Sequence, residues 1–165
     1  MSRFAATEQR LDVTHRKHPG FPRDAAKVVR LVKLLHKLIL DQGNDLLREY
    51  GLNYSEYNVL MMIDASPDGT LNPSQLGDAA SEKSANVTRL TSHLVDKGLI
   101  QRTPSEDDRR MLLLRLTAQG EALIARFMPD VFAQLRGYVR ALDAADLAQL
   151  EALLKKLLQG VEADA

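Results

Sequence analysis

Nine aliphatic residues crowd the thirteen positions from Val28 to Leu40, and that crowding constrains the fold more than any other feature of the chain. From Asp24 onward, Val28, Val29, Leu31, Val32, Leu34, Leu35, Leu38, Ile39 and Leu40 follow a helical pattern too apolar for a one-sided surface helix. A helix apolar around so much of its circumference is expected to be buried on several sides, and in a chain of 165 residues a partner subunit is a natural source of the extra cover. Composition agrees with a mostly helical chain. There are 28 Leu and 19 Ala, both strong helix formers, whereas aromatic residues make up 5% and Trp is absent. The length suits one domain, or one core with appendages.

Several function classes are excluded early. The absence of Cys removes disulfide frameworks, thiolate metal sites, cysteine nucleophiles and thiol redox sensing together. Apolar runs such as Met111–Leu114 are far shorter than the ~20 residues that span a bilayer, and the polar N-terminus carries no signal-peptide core, so cytoplasm is the expected compartment and no membrane partner is expected. Lys+Arg and Asp+Glu are both 22, which argues against indiscriminate electrostatic binding to nucleic acid or membrane. The neutrality is uneven, however: residues 1–33 carry +5 and residues 84–117 carry +2.

Residues 1–22 read as an arm, punctuated by His15, His18, Pro19-Gly20 and Pro22, without a sustained apolar period. Asn53-Tyr54-Ser55-Glu56 has capping-box spacing and opens a helix that must stop near Ser66-Pro67-Asp68-Gly69. Asn72-Pro73-Ser74-Gln75 opens a short helix carrying Leu76, Ala79 and Ala80. After Ser81-Glu82-Lys83, a second helix runs from about Ser84 to Lys97 and ends at Gly98. Two short helices joined so tightly make a helix-turn-helix. Ile100–Thr103 and Arg110–Leu116 read as a β-hairpin with a charged tip. Thr117 then caps a helix expected to break or bend near Pro129, and Asp143–Asp146 starts a last helix with the stripe Leu147, Leu150, Leu153, Leu154, Leu157 and Leu158.

The second helix of the pair turns Val87, Leu90 and Leu94 to one side at 100° per residue. Ala85, Arg89, Ser92 and Asp96 fall opposite, with Asn86, Thr88 and His93 on the flanks. Small polar residues with one Arg suit a helix that sits deep in a major groove, although a plain solvated face would have similar composition. The hairpin tip shifts the balance. Arg109 and Arg110 beside Glu106-Asp107-Asp108 can enter a narrow minor groove, where negative potential is focused, with an Asp orienting the guanidinium.

Asp108-Arg109-Arg110, five residues, then Leu116-Thr117 resembles the wing signature Asp-x-Arg-x5-Leu-Thr of the MarR family. Leu76-Gly77-Asp78-Ala79-Ala80, Val87-Thr88-Arg89-Leu90 and Leu94–Ile100 are similar to the same family's winged helix, and the likeness covers about residues 25–160. The N-terminal pattern of His15, Arg16, His18, Phe21 and Pro22 looks most like the EmrR/MprA branch, which represses multidrug-efflux operons. The resemblance implies a mainly α fold with a small β-hairpin wing. A winged helix-turn-helix over 51–117 would join a helical dimerisation lobe over 23–50 and 118–165. It implies a homodimer on a pseudo-palindromic double-stranded DNA operator. Ser84, Asn86, Thr88, Arg89 and Ser92 would lie in the major groove, Ser74 on a phosphate, and Arg110 in the minor groove with Asp108 and Arg109 beside it. It further implies release by a small apolar, aromatic or phenolic effector between the two lobes. His36, Tyr54, Tyr57, Met61 and Met62 are the candidate contacts there, the methionines because their thioethers adapt to irregular apolar ligands. Control of aromatic-compound catabolism or of virulence and stress genes is an alternative role, as is a winged helix that binds protein without DNA. No nucleophile elbow, phosphate loop or dinucleotide fingerprint suggests an enzyme, and His15-x-x-His18 lacks the further ligands of a metal site. No cofactor is expected.

Overall fold

The computed structural model describes residues 3–80, 84–104 and 111–163, with the side chains of 78–80 and 84–85 outside that description. Within it the chain runs α1 (Ala5–Lys17), α2 (Arg23–Arg48), α3 (Tyr54–Asp64), β1 (Thr70–Leu71), α4 (Pro73–Ala80), α5 (Ser84–Asp96), β2 (Ile100–Pro104), β3 (Leu112–Leu116), α6 (Ala118–Tyr138) and α7 (Ala144–Glu162). The strands form one antiparallel sheet in the order β1-β3-β2, with Ile100 opposite Leu116, Arg102 opposite Leu114 and Pro104 opposite Leu112. None of the described helices is long and apolar enough to cross a membrane.

The expected caps are in place because each satisfies backbone donors that a helix start leaves open. Asn53 and Glu56 form a reciprocal capping box, as do Asp143 and Asp146. Asn72 and Gln75 exchange hydrogen bonds of 2.8 and 3.0 Å at the start of α4, and the Thr117 side chain accepts from the Gly120 amide. Gly98, at φ 69°, ends α5 with the left-handed residue that lets the Leu99 amide return to the Leu94 carbonyl.

The core sits under the helix-turn-helix. Leu60 and Ile63 of α3, Leu76 of α4, Leu94 of α5, Leu114 of β3 and Phe127 of α6 are all fully covered. Gly120 brings α6 against the end of α5. A Cβ there would lie 2.2 Å from the Leu99 carbonyl oxygen, so the two backbones meet with no room for a side chain.

Three sequence-based expectations change. Residues 1–22 are not an extended arm, since α1 fills most of that span and docks on α2. Its contact is made by buried Phe4 and Leu11 and by Asp12–Arg23 and Glu8–Lys27 ion pairs, and the Arg23 guanidinium lowers the Asp12 pKa from its ordinary value. Two buried apolar residues are too few to show a period, and the ion-pair partners lie on the next helix. Pro129 neither breaks nor interrupts α6, which is continuous from Ala118 to Tyr138, with Phe127 and Val131 buried on either side of it. The sheet has a third strand, β1, whose two residues pair with Arg115 and Leu114. The apolar helix α2 is left largely open by its own chain, so the cover its composition calls for does not come from the described residues: Val28, Val29 and Leu35 are 44–50% exposed, and only Gly43 and Leu47 are buried. On α7 no residue is buried, and its leucine stripe is open.

Gly120→Ala forces a methyl group into the Leu99 backbone. We expect a loss of about 2–3 kcal/mol, seen as a lower urea midpoint with unchanged slope.

Candidate nucleic-acid interface

The inner face of α5 is the one its spacing predicts, with Val87 and Leu90 at 3% exposure and Leu94 at zero. Thr91 joins that face, its hydroxyl donating to the Val87 carbonyl at 2.9 Å. The remaining face is available. Thr88, Arg89, His93 and Asp96 are exposed, and Asn86 and Ser92 are half-buried. The Arg89 guanidinium donates to Asn86 Oδ1 at 2.8 Å, which lays the longest side chain of this face back along the helix. Ser74 is exposed in the first turn of α4. The structure thus brings Asn86, Thr88, Arg89 and Ser92 to one helix and places Ser74 on the helix before it. The side chain of Ser84 and the wing residues Asp108, Arg109 and Arg110 lie outside the described residues.

Arg102 is a residue the sequence reading left without a role. From β2 it donates to Thr91 Oγ1 and Ser92 Oγ, both at 3.0 Å, so a wing-strand cation is clasped onto the side of α5. Strand alternation holds the signal that could have found it. Arg102 shares a face with Ile100, which is 2% exposed, and stands opposite buried Leu114, so it projects towards the helix side of the sheet.

A second feature lies where α2, α3 and α6 meet. A cavity of about 40 Å³ is lined by Ile39, Leu46 and Leu47 of α2, Tyr54 and Tyr57 of α3, and Val131, Gln134, Leu135 and Tyr138 of α6. Gly43 lets the Tyr54 ring pack directly on α2, since a Cβ there would stand 2.6 Å from that ring. The Tyr54 amide donates to Asn44 Oδ1 at 2.9 Å, and the Tyr54 and Tyr57 rings lie 5.6 Å apart. The Tyr138 hydroxyl is buried with no hydrogen-bond partner among the described residues. Burial raises the pKa values of Tyr57 and Tyr138, with Tyr54 adding to both, so these phenols stay protonated and able to donate. Of the five candidate effector residues, Tyr54 and Tyr57 line the cavity. His36 is exposed on α2, and Met61 and Met62 pack partly buried against the core. Tyr138 and Gln134 were missed because they lie some eighty residues from Tyr54, on a helix whose apolar pattern alone says nothing of what it faces. Among the described residues no cluster of three or more His, Asp or Glu could hold a metal.

A helix-turn-helix followed by a paired hairpin, set on long flanking helices, is the winged-helix arrangement. The MarR family model matches residues 50–111. The transcriptional repressor MprA of Escherichia coli K12 is 29% identical over 161 residues, spanning 98% of this chain and 92% of that protein. Among solved structures, an Escherichia coli MarR mutant complexed with operator DNA is 29% identical, with a TM-score of 0.66 over 80% of this chain and 96% of that one. AbsC of Streptomyces coelicolor shares the fold at a TM-score of 0.76 and 23% identity, covering 82% and 93% of the two chains. Along most of its length the chain is thus similar to DNA-binding transcriptional regulators of the MarR family.

Arg102 sits where its charge adds to the outer face of α5. Arg102→Ala is expected to weaken duplex binding by about tenfold and to lower the slope of log affinity against log salt by about one, with little change in thermal stability. Binding isotherms at several salt concentrations check both.

Proposed function

We propose that this protein is a homodimeric, ligand-responsive repressor that binds a pseudo-palindromic operator in the cytoplasm and releases it when a small apolar, aromatic or phenolic molecule binds. One observation carries the reading. The same chain holds an exposed, small and polar face on α5 and an uncovered leucine stripe on α7, so a reading surface is joined to a surface that needs a second copy. Exposed apolar residues on α2 and Phe132 and Leu135 on α6 extend that second surface. Two copies then carry two reading helices, which suits a two-fold symmetric site.

On DNA, Ser84, Asn86, Thr88, Arg89 and Ser92 face the major groove and Ser74 meets a phosphate. Arg110 enters the minor groove, with Asp108 and Arg109 beside it. The tyrosine-lined cavity supports the ligand response: it is apolar, it sits at the joint of the two lobes, and the Tyr138 hydroxyl, without a partner among the described residues, can donate to a phenolic or carboxylate oxygen. A ligand there acts only if it favours one spacing of the lobes over another. Multidrug-efflux genes are the proposed target, because the relative matched along nearly the whole chain is the repressor MprA.

Two substitutions test the reading. Leu154→Glu places a charge in the α7 stripe. It should leave monomers in sedimentation at micromolar concentration and lower operator affinity by about 100-fold or more, since the two half-sites are no longer linked. Arg110→Ala should lower the salt slope of operator binding by about one. An unchanged slope and affinity would favour the alternative of a winged helix that binds protein instead.

A further inference from the structure

The C-terminal end of α5 is gripped from two sides. On one side the Lys97 ammonium donates to the Glu56 carboxylate at 2.7 Å and to the Gly51 carbonyl at 2.9 Å. Gly51 lies in the connector between α2 and α3, and Glu56 in the first turn of α3. The other Glu56 oxygen accepts from the Asn53 amide at 3.0 Å, and the next residue, Tyr54, is tied by its own amide to Asn44 of α2. One ammonium therefore ties the reading helix to the joint of α2 and α3. On the other side the Thr117 hydroxyl donates to the Gly98 carbonyl at 2.6 Å, and Gly120 of α6 abuts the Leu99 carbonyl.

We infer that Lys97 and Glu56 are positioning residues that transmit the placement of α2 to the reading helix, so that each copy's α5 is held at a fixed angle and distance from the dimerisation helices. The inference rests on the operator-binding dimer proposed above. Three properties support it. The Glu56 side chain is 4% exposed, so its charge has no water to rely on and requires its cation. Both acceptors on Lys97 belong to the α2–α3 joint, whereas a merely solvated lysine at a helix end would need neither. The same α2–α3 joint includes Tyr54, held by its amide to Asn44 and lining the cavity, so whatever separates α2 from α6 there pulls on the joint that Lys97 grips. Neither residue lies on the outer face of α5, and neither is assigned a DNA contact.

The test uses the full-length protein and a palindromic duplex selected from a random pool, together with versions whose half-sites are one base pair closer or farther apart. We expect the wild type to discriminate between spacings by about tenfold or more. Lys97→Met keeps the aliphatic stem but removes the tie, and it should bring the spacings within about threefold of one another with an unchanged salt slope. Lys97→Arg should restore the discrimination. Glu56→Gln retains an acceptor for the Asn53 amide, and it replaces Lys97→Met as the test variant if that protein does not fold. A purely stabilising pair would lower the melting temperature and leave the spacing ratio untouched, and that result overturns the inference. So does a salt slope reduced by about one in Lys97→Met, which would mean that Lys97 touches phosphate. A wild type that binds no selected duplex at any spacing would instead overturn the operator reading, and this inference with it.

Discussion

The contact between the Gly120 backbone and the Leu99 carbonyl fixes where the reading helix ends relative to the helix that follows the wing. Thr117 spans the same gap, accepting from the Gly120 amide while its hydroxyl donates to the Gly98 carbonyl. Because β2 begins at Ile100 and β3 ends at Leu116, both strands leave from this one point, and so does α6. The wing, the reading helix and the long helix α6 therefore share a common anchor of backbone contacts. Such contacts tolerate little displacement, since no side-chain rotamer can absorb it.

Rigidity on one side of the anchor contrasts with adaptability on the other. The cavity between α2, α3 and α6 is walled by the Tyr54 ring, which packs on α2 at Gly43, and the buried Tyr138 hydroxyl on its lining has no hydrogen-bond partner among the described residues. An unsatisfied buried donor is costly, and its cost is removed by any molecule that supplies an acceptor. The joint is thus poised for an added group in a way the close-packed anchor is not. The Lys97–Glu56 pair lies between the two regions and belongs mechanically to both.

The winged helix was the most legible part of the chain, because its signals are local. Asn53…Glu56, Asn72…Gln75 and Gly98 mark helix ends through bonds between near neighbours, and Val87, Leu90 and Leu94 give the buried face of α5 by spacing alone. What was missed depends on distant partners. The docking of α1 rests on ion pairs to the next helix, and β1 is two residues long and exists because β3 has an open edge to pair. Pro129 read as an interruption or bend because a proline inside a helix usually makes one. Buried side chains on both sides of it keep that helix continuous. In the candidate site, Thr88 and Arg89 could be placed from the helix wheel. Arg102 and Tyr138 could not, because their meaning comes from Ser92 on the neighbouring helix α5 and from Tyr54 across the cavity.

The uncovered stripe on α7 also bears on how such a regulator responds to its own abundance. When the reading unit is assembled from two copies, its amount at low expression grows with the square of the chain concentration, while separated chains carry a sticky leucine surface into the cell. Halving synthesis then removes well over half of the active species. In the proposed dimer, the α7 stripe would thus make the response depend on chain concentration with a threshold, independently of any molecule in the cavity.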